Sequence, residues 1–127
     1  MSLYSNSPVQ ELKSKNFILK NLHGNVQLKD KKPTLIIFYA NWCPHCHNPY
    51  LVQMMKTLGK NLPKKANINV GAFDCADGEE NEDLAQQIGV HGFPTLMFFN
   101  KNGKRNEIHG PRTMENILKE MLKYSEK

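Results

Sequence analysis

Two thiols three positions apart, Cys43 and Cys46, stand in the string Trp42-Cys43-Pro44-His45-Cys46-His47, directly after the apolar run Leu35 to Ala40. A helical pattern follows them. A strand that runs straight into Cys-x-x-Cys ahead of a helix sets both sulfurs at a helix start, where unpaired backbone N–H groups and the macrodipole favour a thiolate. The chemistry this supports is thiol–disulfide exchange. The same string also reads as a Cys-x-x-Cys-His haem attachment, and Cys43, His45, Cys46 and His47 are all zinc-ligand types. Covalent haem needs a second axial ligand and a cavity for a large macrocycle, whereas this motif leaves a buried strand and enters a proline-started helix. A structural zinc needs four convergent ligands, and His91 and His109 are isolated residues rather than a second ligand pair. The expectation is no metal.

The elements that must hold the thiols can be read on either side of them. Thr34 to Tyr39 is β-branched, aromatic and nearly continuous in apolarity, which predicts a central strand buried on both faces. Behind the cysteines, Tyr50, Leu51, Met54, Met55 and Leu58 recur at helical spacing as a core-facing stripe. Pro49 lacks the N–H that would bond the His45 carbonyl and is expected to bend this helix near the cysteines. Gly59 to Lys65 reads as a loop and Ile68 to Asp74 as a second buried strand. Glu79 to Ile88 reads as a helix with acidic residues early and Gly89 at its end.

Val90 to Thr95 leads into a strand over Leu96 to Phe99, a turn at Asn100 to Gly103, and an antiparallel edge strand over Arg105 to His109. Thr113 caps a last helix whose apolar face is Met114, Ile117, Leu118, Met121 and Leu122. At the other end, Ser7-Pro8 reads as the start of a short helix running towards Lys15. Phe17 to Leu22 and Val26 to Leu28 read as two strands joined at His23-Gly24-Asn25. The total is an α/β fold, a mixed central sheet with helices on both faces.

Composition bounds the rest. At 127 residues, 39% hydrophobic and 23% charged, the chain has the size and make-up of one globular domain. The net charge of +5 comes from lysines scattered over turns and helix faces, with one cluster at Lys29 to Lys32, and no block interleaves them with aromatics. Neither a nucleic-acid partner nor a membrane surface is expected. The longest apolar run is six residues, far below a membrane span. Met1 to Val9 has no basic and apolar leader pattern, and Tyr124 to Lys127 no retention or lipidation box. As it stands, the chain reads as soluble, monomeric and cytoplasmic, with an oxidising compartment the alternative if a leader has been removed. The third cysteine, Cys75, follows a predicted strand and reads as a buried, inert thiol, with a regulatory role as the alternative.

Three blocks carry a family resemblance. Phe38-Tyr39-Ala40-Asn41-Trp42-Cys43-Pro44-His45-Cys46 resembles the active-site strand and turn of the thioredoxin superfamily. Gly92-Phe93-Pro94-Thr95 resembles its cis-proline loop, and Gly110-Pro111-Arg112-Thr113 is similar to a stretch of protein disulfide isomerase domains. They occur in family order and spacing. The resemblance implies one thioredoxin-like domain over residues 1–127, with its core at 33–124 and residues 1–32 as an N-terminal extension containing the short helix and hairpin.

The resemblance also implies roles. Cys43 is the expected nucleophile and Cys46 the resolving thiol, together forming a redox-active disulfide with no other cofactor. Phe93 and Pro94, with the bond cis, are expected to offer free backbone groups to an extended substrate peptide. Trp42 is expected beside the thiols, and Arg112 either swings towards the site to favour the second thiolate or stays a solvated surface residue. Partners are then protein or peptide thiols and disulfides, plus an electron donor or acceptor that the residues do not identify.

Pro44 and His45 bear on direction. A partly protonated His45 favours the Cys43 thiolate and stabilises the reduced form. A drop of about two units from ~8.5 corresponds to about 2.7 kcal/mol, or roughly 60 mV more oxidising. Family reductants carry Gly-Pro here, isomerases Gly-His and a bacterial oxidase Pro-His, so the expected lean is towards oxidase or isomerase activity. One departure opposes fast turnover: the family places a buried acid six residues before the first cysteine, and this chain has Ile37. The alternative function is therefore a thioredoxin-fold module that binds peptides or acts as a chaperone, with slow or vestigial redox chemistry.

Overall fold

The computed structural model describes residues 2–19 and 25–125. Its centre is β4 (Thr34–Tyr39), every residue of which is buried. Alternation along the strand sends Leu35, Ile37 and Tyr39 into one apolar cluster and Ile36 and Phe38 into another. Full burial of side chains such as Ile36, Ile37 and Phe38 contributes about 1.5–3 kcal/mol each. Both faces are therefore covered, as the continuous apolarity of the run predicts.

Around β4 lie β1 (Gln10–Leu12), β5 (Asn69–Asp74), β6 (Thr95–Phe99) and β7 (Arg105–Glu107), in the order β1-β5-β4-β6-β7. β5 runs parallel to β4 with Ile37 opposite Ala72, and β6 runs antiparallel with Ile37 opposite Leu96. On one face pack α1 (Pro49–Lys65), through Leu51, Met55, Leu58 and Leu62, and α3 (Met114–Tyr124), through Ile117 and Met121. On the other pack α2 (Glu79–Ile88), through Leu84, Ala85 and Ile88, and the antiparallel pair β2 (Phe17–Leu19) and β3 (Val26–Leu28), through Phe17, Val26 and Leu28. This is the thioredoxin fold that the resemblance implies. Of the predicted strands at 17–22 and 26–28, Phe17–Leu19 pairs with Val26–Leu28, while residues 20–22 and His23 and Gly24 of the turn lie outside the described residues.

Four expectations are corrected. Residues 8–15 form no α-helix. The Ser7 hydroxyl donates to the Tyr4 carbonyl at 2.7 Å and accepts from the Val9 amide at 3.2 Å, closing a local turn. Gln10 to Leu12 then pair with Gly71 to Phe73 as an edge strand, and Ser14–Asn16 is a 3₁₀ turn. Gly71 makes room for this edge, since a Cβ there would lie 2.5 Å from Leu12 Cδ1.

Gly59 to Lys65 is not a loop but the second half of α1, with Pro63 inside it. Leu58 and Leu62 are buried there, and the bare Gly59 lets Pro8 and Val9 pack onto the helix, a Cβ being 3.1 Å from Val9 Cγ2. Burial of the apolar face outweighs the weak helix propensity of glycine and proline.

The helix beyond the cysteines does not bend at Pro49; it begins there, and the cysteines occupy a separate 3₁₀ turn, Pro44–His47. The apolar faces are also narrower than predicted, because Tyr50 is 88% exposed, Leu122 77% and Leu118 37%.

Candidate active site

The thiols sit where β4 runs out. The Cys43 amide donates to the Ala40 carbonyl at 2.9 Å, and the Cys46 amide to the Cys43 carbonyl at 3.1 Å, winding the tight turn that Pro44 starts. Asn48 ends it. Its side-chain oxygen accepts the Tyr50 and Leu51 amides at 2.9 and 3.4 Å and so caps α1. Pro49 then occupies the first helical position, where its missing N–H has no partner to lose. Outside the turn, His47 Nε2 lies 2.6 Å from the Asn41 carbonyl and straps the loop that carries Trp42 and Cys43.

Cys43 is 6% exposed and Cys46 fully buried. Both are free thiols. Burial pushes the Cys43 thiol up, but hydrogen bonds from the Cys46 thiol and from the backbone amides of Cys46 and His45 outweigh it and leave Cys43 below its ordinary value. The His45 contribution to this lowering is its backbone amide. Cys46 is pushed up to about 11, first by burial and further by the Cys43 thiol, against an opposing hydrogen bond at Ala40 and the Arg112 charge. One sulfur is poised to ionise and its neighbour to stay protonated.

The Gly92–Thr95 loop faces this turn. The Phe93-Pro94 bond is cis, and the Thr95 hydroxyl closes the loop by donating to the Gly92 carbonyl at 2.7 Å. Its carbonyls are engaged rather than free. The Phe93 carbonyl lies 3.8 Å from the Cys43 sulfur, and the Pro94 carbonyl accepts Arg112 Nη2 at 2.8 Å. Arg112, though exposed, ties the loop to the segment before α3 while its charge is felt at Cys46. Trp42, 69% exposed, meets Phe93 edge-on with ring centroids 5.9 Å apart.

The remaining candidates fall elsewhere. Cys75 is buried on the opposite face of the sheet, and its thiol is pushed up to about 12, chiefly by burial and then by Asp74 and Cys46. His91 and His109 are exposed. Among the described residues, no three His, Cys, Asp or Glu side chains converge on a point that could hold a metal ion. Ile37 is fully buried in the cluster that also holds Cys43 and Cys46, and its side chain is only hydrocarbon. The sequence reading missed Asn41 and His47 as the loop strap and Asn48 as a cap, although Asn-Pro ahead of an apolar helical stripe is a start signal.

A dithiol turn at the end of the central strand, faced by a cis-proline loop, is accompanied by a match of the thioredoxin family profile over residues 11–123. The chain belongs to the thioredoxin family. It is 35% identical over 111 residues to the protein disulfide-isomerase tigA of Aspergillus niger, covering 86% of this chain and 28% of that protein. It is also 35% identical over 106 residues to the protein disulfide-isomerase of Saccharomyces cerevisiae, covering 80% of this chain and 19% of that one. The chain thus spans about a quarter of the length of the curated relatives it matches. Among solved structures, the J-Trx1 fragment of ERdj5 superposes with a TM-score of 0.71 over 98% of this chain and 56% of its own, at 17% identity, a likeness of fold. The first thioredoxin domain of mouse protein disulfide-isomerase A4 superposes with a TM-score of 0.62 at 28% identity, over 76% of this chain and 66% of that domain.

Proposed function

We propose that the chain is a protein thiol–disulfide oxidoreductase working through the Cys43–Cys46 pair, with no other cofactor. The observation that carries this reading is the split between the two sulfurs. Cys43, at the surface edge and 3.8 Å from the Phe93 carbonyl, is held below its ordinary pKa, while Cys46 beneath it is held at about 11. A Cys43 thiolate attacks a substrate disulfide, forming a Cys43–substrate bond and releasing the other substrate sulfur, which takes up a proton. Cys46 then loses its proton and attacks the Cys43 sulfur; the Cys43–Cys46 disulfide forms and the second substrate thiol departs. Run backwards, the sequence oxidises a substrate dithiol. Phe93, Pro94 and Trp42 line the approach, so an extended peptide lying along this loop brings its sulfur to Cys43.

A depressed Cys43 stabilises the reduced form and makes the disulfide the better oxidant, which supports the oxidase or isomerase direction and an oxidising compartment. The relatives named protein disulfide-isomerase point the same way. The deciding experiment is Cys46→Ala incubated with oxidised client proteins. Mixed disulfides trapped through Cys43 are the expected result; an empty trap, together with wild-type protein that neither reduces insulin nor oxidises thiols, overturns the reading. Equilibration with glutathione fixes the direction: the expected potential lies above the about −270 mV of thioredoxin. A second reading, a peptide-binding module with slow chemistry, is favoured by one observation, the hydrocarbon of Ile37 where a proton acceptor would speed Cys46.

A further inference from the structure

The apolar cluster that holds Cys46 also holds a polar group that the exchange steps above do not use. Tyr4 comes from the N-terminal segment, is fully buried, and shares one apolar cluster with Ile37, Tyr39, Cys43 and Cys46. Its ring meets Tyr39 edge-on with centroids 5.6 Å apart. The Ser7 hydroxyl on its carbonyl, and Val9 wedged against Gly59 of α1, hold its segment in place. Among the described residues its hydroxyl is the one buried side-chain oxygen or nitrogen without a hydrogen-bond partner. An unpaired hydroxyl of this kind costs about 1–3 kcal/mol, and folded chains carry few of them.

Burial, then Tyr39, then Cys46 push the Tyr4 phenol above its ordinary range. The phenol therefore keeps its proton: it can donate a hydrogen bond, and it cannot serve as a base. It is also within electrostatic reach of the resolving sulfur. The titratable and charged groups around that sulfur are Cys43 in the same turn, Arg112 before α3, Cys75 beyond β5 and Tyr4 itself. Of these, Arg112 is exposed and carries a fixed positive charge, and Tyr4 is fully buried with an O–H that has no partner.

We propose that Tyr4 is a supporting residue of the resolving step, its buried O–H turning towards the Cys46 sulfur as that sulfur becomes a thiolate. This rests on the assignment of Cys46 as the resolving thiol. In the step itself the Cys46 proton passes to solvent, the Cys46–Cys43 bond forms, and the Cys43–substrate bond breaks with its electron pair leaving on the substrate sulfur, which is then protonated. Tyr4 transfers no proton. In the dithiol its hydroxyl has nothing to donate to; facing the thiolate it gains a charge-assisted bond, which lowers the barrier to the attack.

The test is Tyr4→Phe in the full chain, which keeps the ring against Tyr39 and removes only the hydroxyl. In the reduced protein, the Cys46 ionisation midpoint, followed by the NMR shift of its labelled β-carbon, is expected to rise by about one pH unit. In a single turnover with oxidised glutathione, release of the second glutathione from Cys43 is expected to slow about tenfold, the same free energy expressed as a rate. The urea midpoint should hold or rise, because an unpaired buried hydroxyl is gone. Site-specific 3-fluorotyrosine at position 4, a stronger donor of nearly the same size, should move the Cys46 midpoint down. An unchanged Cys46 midpoint in both variants overturns the inference and leaves Tyr4 a packing residue. Should the wild type form no mixed disulfide at all, the exchange reading fails; the Cys46 midpoint, measured without substrate, still decides for or against Tyr4.

Discussion

Beneath α1 and α3 the core is chemically mixed, whereas beneath α2 and the β2–β3 pair it is built on phenylalanine. On the first side Tyr4, Tyr39, Cys43 and Cys46 lie among Leu, Ile and Met. On the second, Phe17, Phe38, Phe73 and Phe99 touch one another with ring centroids 5.6 to 6.5 Å apart, in edge and tilted arrangements. Each side holds buried cysteine with backbone hydrogen bonds at its sulfur, yet only at Cys43 do hydrogen bonds outweigh burial, while Cys75 is pushed up to about 12. Burial alone makes a thiol inert. Where hydrogen bonds outweigh burial, as at Cys43, the thiol is poised to ionise.

The largest effect that separates the two sides is loss of activity. Cys43→Ser should abolish disulfide exchange with glutathione or insulin, while Cys75→Ala should leave the exchange rate within about twofold. Comparable losses from both substitutions would break the comparison.

Next in size is the contribution of the phenylalanine side to stability. Phe38→Ala should lower unfolding free energy by about 3–5 kcal/mol, read from the urea midpoint. The Cys43 reactivity of the molecules that remain folded should be unchanged.

A smaller effect appears in alkali. Cys46 and Cys75 are raised to about 11 and about 12 in the fold, so above the ordinary thiol value the unfolded chain holds fewer protons than the native one. Stability of the reduced protein is then fully present below about pH 8.5 and falls as pH rises towards the folded values. Urea unfolding should show a loss on the order of 1–2 kcal/mol per thiol by about pH 10. Cys75→Ala should remove its share of the slope. A flat profile would mean that the phenylalanine side leaves its thiol as free to ionise as solvent does.

The smallest effect sharpens the boundary of the mixed side. Trp42→Ala removes an exposed ring whose edge stack with Phe93 is worth about 0.5–1.5 kcal/mol, so stability should drop by no more than that. The Michaelis constant for a peptide disulfide should rise several-fold in the same variant if the ring guides substrate.

Much of this was legible because it is local. The unbroken apolarity of Thr34 to Tyr39, Gly89 after the acidic-led α2, and Thr113 before α3 each declare an element from adjacent residues, and all three stand in the structure. So does the Phe93-Pro94 loop opposite the thiols. The misreadings are contacts between distant segments. Gly59 and Pro63 look like punctuation until Val9 is known to fill the glycine's place, and Ser7-Pro8 looks like a helix start until Gln10 to Leu12 find β5. Tyr4 drew no notice for the same reason. Nothing in Leu3-Tyr4-Ser5 announces a partner forty residues away.

The packing of Pro8 and Val9 onto Gly59 has a consequence for where the working unit begins. A fragment cut at the first residue of the family match, Glu11, would keep the dithiol turn, the cis-proline loop and all three helices. It would lose the clasp on α1 and the buried Tyr4 phenol together. The stretch ahead of the family match therefore braces α1 and seats Tyr4 in the cluster that holds Cys46, and anything attached ahead of Ser2 lies a few residues from that cluster.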